Sequence, residues 1–262
     1  MPSFTNSAFA FFYKRILQIN QSSNTGVDDT PRKIQDGSGV DTSISVAKNG
    51  IHIQPENADI TSTMLVRSLL GANIFAVDTI NSKVKVGSSQ VEATTQFKEM
   101  GLYEFSPNAA GYHYPLIANK VGMQGAEALT YDDDWGNGTD PPTTLDVSGL
   151  TDPENAIAIY WYLDNAITIN TVRYMARADG SVTLNFHLFE YTLDTSTNHG
   201  DLSGGSVVAN ASVSATASAI KTGTFTIDSA NVAAGKIIIA YVENVTDTSD
   251  ISCALNIQYN VQ

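Results

Sequence analysis

The sequence predicts an all-β chain: an N-terminal arm, a stalk of short strands, and a C-terminal β-sandwich of jelly-roll type. Three observations predict it. Apolar and β-branched residues alternate with polar ones in short runs bounded by Gly, Asn, Asp, Ser and Pro. Helix signals are nearly absent. The runs also lengthen near residue 112, which separates a stalk over 36–88 from a sandwich over 112–262, with a connector over 89–111.

Residues 1–35 read as an arm. Phe4, Phe9, Phe11, Phe12 and Tyr13 crowd its start, Lys14–Asn20 reads as a short strand, and 21–31 as a loop. Clustered terminal aromatics dock on something, because exposed apolar patches are costly. The surface is either the protein's own body or a larger particle into which the arm inserts.

The stalk is a series of short strands: 42–46, 50–54, 63–67, 73–77 and 83–86. Lys48-Asn-Gly50, Pro55-Glu-Asn57, Leu70-Gly-Ala-Asn73 and Asp78-Thr-Ile-Asn-Ser82 are the turns between them. Such strands cannot build a core alone, and a lone hairpin is marginal in water. Ile51, Ile53, Leu65, Ile74, Phe75, Val77, Val84 and Val86 are therefore candidates for contact with further copies of the chain. His52 lies between two isoleucines and points to the opposite face, as a surface histidine.

In the connector, 90–101 reads as a helical turn or an extended linker, and Asn108-Ala-Ala-Gly111 as a turn. Beyond it, Asn155–Tyr162 has the continuous apolar character of a strand covered on both faces. Residues 166–176 alternate, Asp179-Gly180 signals a hairpin, and 181–191 alternate with Val182, Leu184, Phe186 and Leu188 on one face. Further strands are expected at 205–214, 221–227, 236–242 and 251–261. The tracts 203–206 and 210–219 are rich in Gly, Ser and Ala, and read as loop and exposed strand. Many strands with long connections suit a jelly roll.

Charged residues make up 16% of the chain, against ~25% in an ordinary domain. Uncharged polar residues replace them, as on the exposed strands of extracellular or virion proteins. The net charge of −13 falls entirely in residues 101–262. An acidic half of this kind is a poor partner for nucleic acid or anionic lipid. No run approaches the ~18 apolar residues of a membrane span. The apolar run at 9–13 is followed, not preceded, by Lys14-Arg15, the wrong order for a secretory signal. Cys253 is the one cysteine, and it sits in an alternating run as a small buried hydrophobe.

Residues 131–140 form the best candidate site. Asp132, Asp134, Asn137 and Asp140 offer hard oxygens from a Gly-bent loop, which suits Ca2+, although the spacing is not that of an EF-hand. The alternative is a solvated acidic loop. Trp135 either stacks on a sugar ring or plugs the sandwich edge. Asp133, Asp134, Asp164 and Glu190 are acids of the type used in glycoside cleavage, but no spacing pairs them. The chain lacks a Gly-x-Ser-x-Gly elbow, a P-loop, a dinucleotide fingerprint and a His-Glu-x-x-His helix. Its four histidines sit in no supporting motif.

The wording of residues 73–87, N-x-F-x-V-D-T-x-N-x-K-V-x-V-G, resembles repeats of trimeric bacteriophage fibre and spike proteins. The stretch Tyr13–Asp28 is similar to structural proteins of marine phages. The resemblance covers about a third of the chain and implies a non-enzymatic homotrimer. Its arm would bind a major capsid or tail protein, and its head would point outward from the virion, as a head fibre, capsid decoration or tail-fibre part. A receptor-binding module reading host glycans with loops near Trp135, Asn198 and His199 is the alternative. A glycan-cleaving spike is a third reading.

Overall fold

The computed structural model describes residues 17–20, 26–104, 111–119, 136–147, 156–196, 200–217, 219–245 and 249–262. The chain is almost entirely β and divides into two compact units, 1–93 and 94–262.

The first unit holds two four-stranded antiparallel meanders. One is β1 (Gln18–Ile19), β2 (Arg32–Gln35), β3 (Asp41–Ala47) and β4 (Gly50–Ile53). The other is β5 (Met64–Arg67), β6 (Asn73–Asp78), β7 (Lys83–Val86) and β8 (Val91–Glu92). Apart from β1 and β2, whose connection spans residues 20–31, the strands within each meander pair with their sequence neighbours across short, turn-forming connections. At the β6–β7 turn the Asp78 carboxylate accepts from the Asn81 backbone N–H at 3.1 Å and its amide at 2.8 Å. It also accepts from Lys85 Nζ at 2.8 Å. These charge-assisted bonds hold its pKa down at about 2.

The second unit contains eight principal strands: β9 (Thr95–Glu104), β10 (His113–Pro115), β12 (Ile167–Ala178), β13 (Val182–Leu193), β14 (Leu202–Ala215), β15 (Lys221–Thr224), β18 (Lys236–Asn244) and β19 (Ile251–Val261). Short pieces β11 (Trp161–Tyr162), β16 (Thr226–Ile227) and β17 (Asn231–Val232) extend the sheets. One sheet runs β15-β12-β19-β9 and the other β10-β18-β13-β14. The pairs β9–β19, β10–β18, β12–β15 and β13–β14 are those of one long hairpin doubled at its middle. The β12–β19 and β13–β18 pairings roll that hairpin into two sheets. This is the jelly-roll arrangement.

Inward side chains fill the space between the sheets. Leu184, Phe186 and Leu188 of β13 meet Val172 and Ala176 of β12 and Cys253, Leu255 and Ile257 of β19. Tyr174 stacks on Phe186 with ring centroids 5.3 Å apart. Cys253 is buried among these residues, and burial pushes its thiol up to about 12.

The β13–β18 sheet is buried on its outer face as well. Residues 136–147 and a helical turn, Ala156–Ile159, contribute Leu145, Ala158 and Ile159 to a second core with Phe189, Tyr191, Leu202, Ile237, Ile239 and Tyr241. Within it the Tyr191 hydroxyl donates to the Pro142 carbonyl at 2.9 Å and lies 3.1 Å from the Tyr241 hydroxyl.

Several expectations are corrected. Residues 95–104, expected in a connector, form β9, which pairs with β19 along its length. Within the run expected as one strand over 155–162, the described residues form a helical turn, Ala156–Ile159, followed by β11, since a short apolar run has no period to distinguish the two. Asp179-Gly180 does not close a hairpin; it carries the chain from β12 in one sheet to β13 in the other. The tract 203–206, expected as loop, lies in β14, while 210–214 are strand with exposed or half-buried side chains, as expected, and only Ala215 beyond them is buried. Small residues suit that strand because the Tyr191 ring lies against Gly205, where a Cβ would collide with it.

Candidate functional site

The residues expected to meet further copies lie in the first unit, and register places them. In the β5–β7 sheet, Val66, Phe75 and Val86 align across three strands, and Met64, Val77 and Val84 align beside them. Alternation puts all six on one face. In the β3–β4 pair, Ile44 faces Ile53 and Val46 faces Ile51. Two apolar ladders result, carrying Ile51, Ile53, Phe75, Val77, Val84 and Val86. Leu65 and Ile74 point to the other face of the β5–β7 sheet. Only Ala76 and Asp78 are buried among the described residues of this unit. Among the described residues, sixteen of the twenty-one exposed large apolar side chains lie in this unit, and those described residues form no core of their own.

Of the acidic-loop candidates, Asp132, Asp134 and Trp135 lie outside the described residues, as do Asn198, His199 and the aromatics Phe4, Phe9, Phe11, Phe12 and Tyr13. Asn137 makes a backbone bridge with Tyr112. Asp140 is exposed and stands beside a cluster that the sequence did not reveal.

That cluster is His113, His187 and Glu243. On β18, Glu243 faces His113 of β10 on one side and Asn185 of β13 on the other. His187 lies two residues along from Asn185 and so shares its face. The three side chains occupy the outer face of the sheet, at the end of the second core. They are 1%, 7% and 4% exposed, and their donor atoms all lie within 4.8 Å of one another. His113 Nε2 and both ring nitrogens of His187 are buried without a hydrogen-bond partner. The Asp140 carboxylate is 4.0 Å from His187 Nδ1.

The neighbours fix the protonation of this group. His113 Nδ1 faces the Gly136 carbonyl at 3.4 Å. A carbonyl only accepts, so Nδ1 carries the proton and the Nε2 lone pair points into the cluster. Burial, with a contribution from His187, lowers the His113 pKa to about 4. Burial lowers His187 too, opposed by Asp140. Burial raises Glu243, opposed by the Asn185 amide, which donates to its Oε2 at 2.9 Å. Both imidazoles are thus neutral near pH 7, with free lone pairs next to a carboxylate. Such groups are able to hold a metal ion.

No local motif announces these residues, since 74 positions separate the two histidines and 56 more lead to the glutamate. The available signal was His187 inside an alternating strand, on the face opposite Phe186.

The outer face of the other sheet is concave. Phe97, 63% exposed, lines its groove together with Glu99, Arg173, Met175 and Asn256.

No protein-family model matches the chain, and no curated protein matches it. Among solved structures, one similar chain is from the infectious bursal disease virus Gx strain. It is 9% identical with a TM-score of 0.28, over 83% of this chain and 38% of that one. Another is the N-terminal part of Clostridium thermocellum endo-1,4-beta-D-xylanase 10B, comprising CBM22-1 and GH10 modules complexed with xylohexaose. It is 13% identical with a TM-score of 0.23, over 40% of this chain and 18% of that one. The chain thus spans well under half the length of either structure. At these TM-scores no residue role is carried over from them. Among the described residues no helix is long and apolar enough to cross a membrane.

Proposed function

We propose that this chain is a non-enzymatic structural protein of a virus particle, acting as a homotrimer. Its arm, residues 1–35, binds a major capsid or tail protein, and its acidic sandwich faces outward. A head fibre, a capsid decoration or a tail-fibre component fits this description. The observation that carries the reading is the pair of apolar ladders, with no core beneath them among the described residues. Aliphatic side chains aligned across short strands are stable in water only when another surface covers them. Further copies of the same chain are the covering surface that is always at hand. Balanced charge in residues 1–100, nine basic and nine acidic, lets copies approach there without the repulsion of the acidic half. The resemblance of residues 73–87 to trimeric phage fibre repeats supports three copies. The jelly roll serves capsid and lectin domains among others, so the fold alone sets no function.

Deleting residues 1–16, which leaves β1 and β2 of the first meander in place, separates assembly from attachment. The expected result is an unchanged oligomeric mass with loss of co-sedimentation with particles of the virus. A fall to the single-chain mass would move the assembly role to the arm and overturn this reading.

The concave face with Phe97 favours a second reading, a module that binds host surface glycan. An exposed aromatic flanked by Arg173, Glu99 and Asn256 offers a ring for stacking and groups for sugar hydroxyls. Binding on a glycan array that Phe97→Ala abolishes would support it. An array without signal would leave the purely structural role.

A further inference from the structure

Three consecutive strands and one loop converge on the His113, His187 and Glu243 cluster. We propose that His113, His187 and Glu243 bind a divalent first-row transition ion, with zinc the best match, and that Asp140 completes the coordination. The first support is the unpartnered nitrogens. A buried polar atom without a partner costs stability, and native structures keep few of them. Here three imidazole nitrogens are buried together without partners, beside a carboxylate. One bound cation takes His113 Nε2 and one ring nitrogen of His187, two of the three.

The donor chemistry narrows the ion. Two imidazoles and one or two carboxylates form a set that zinc accepts in tetrahedral geometry. Calcium and magnesium prefer all-oxygen surroundings. Ligand bonds of about 2.0 Å place tetrahedral donors about 3.3 Å apart. The present donors lie within 4.8 Å, and Asp140 is 4.0 Å from His187 Nδ1, so binding asks for small side-chain movements.

Outer partners already orient the ligands. Gly136 holds His113 through Nδ1, and Asn185 holds Glu243 through Oε2. Metal ligands are commonly held in this way. The consequence is structural. Strand β10 has only three residues and lies at the sheet edge. The ion ties it to β18 and β13, and ties the 136–147 cover to all three.

The test uses the full chain, stripped with a chelator. It is titrated with Zn2+ by calorimetry and with Co2+ by visible absorption. One ion per chain and the absorption bands of four-coordinate Co2+ are expected. His113→Ala, His187→Ala and Glu243→Gln should each weaken Zn2+ binding at least about 10-fold. His52→Ala, in the first unit, should leave it unchanged. Zn2+ should raise the melting temperature of the parent protein and not of these three variants. If an alanine variant loses its circular dichroism spectrum, Glu243→Gln carries the test, because glutamine keeps an acceptor for Asn185. Absence of saturable Zn2+ binding would overturn the proposal. So would binding that survives Glu243→Gln, or a preference for Ca2+.

Discussion

Tyr191 and Tyr241 form a directional pair in the second core. Tyr191 spends its one O–H on the Pro142 carbonyl, so Tyr241 must donate to the Tyr191 oxygen. The two hydroxyls are therefore unequal. Tyr241→Phe leaves every remaining group paired and should cost about 1 kcal/mol, whereas Tyr191→Phe strands the Tyr241 hydroxyl and the Pro142 carbonyl and should cost about 2–3 kcal/mol. Urea unfolding of the two variants checks the order, and equal losses would contradict it. Asp78 makes a second prediction. Its folded-state pKa of about 2 lies below its ordinary 3.8, so its contribution is complete above that value and is lost as pH falls towards 2. Asp78→Asn should melt below the parent at pH 7, and the gap should close near pH 2. Thermal unfolding at the two pH values reads it. At this scale the sequence was partly legible. Asp78 at a turn and Cys253 as a buried hydrophobe follow from their neighbours in the chain. The partnership of His113, His187 and Glu243 does not, because it depends on which strands become adjacent in the sheet.

Strands were legible wherever alternation ran beside turn formers. Strand β19 matches its expected span, and the inner face of β13 holds the four residues expected there. Alternation reports only a difference between two faces, so it failed where both are covered. The sequence did not reveal that 136–147 and 156–159 bury the outer face of β13 and β18, and the His113, His187 and Glu243 cluster lies on that face. It likewise missed β9, whose Lys, Glu and Gln residues look like linker but sit on a strand of the concave sheet. The ladders of the first unit make a prediction about elements. Val86 is 42% exposed in one chain. In a monomer Val86→Asp is a surface change within about 0.5 kcal/mol. Between copies it buries an unpaired charge and should dissociate the assembly. Sedimentation velocity distinguishes the two. Ser252→Asp, on the outward face of β19, should leave the assembly intact.

The two units differ in how much their described residues bury. The jelly roll of residues 94–262 has two cores and closes its own strand order. Among the described residues, the unit of residues 1–93 presents aligned apolar ladders and buries only Ala76 and Asp78. If other copies cover these ladders, melting temperature should rise with protein concentration. Three copies, each carrying −13, would keep particles dispersed and present any weak ligand site in triplicate. Ladders covered by other copies of the same chain require an oligomer in solution, and light scattering on the purified chain reads its mass. A mass of three times 28.0 kDa is the result expected. A mass of 28.0 kDa that persists at high concentration would contradict it, leaving the ladders exposed in a monomer.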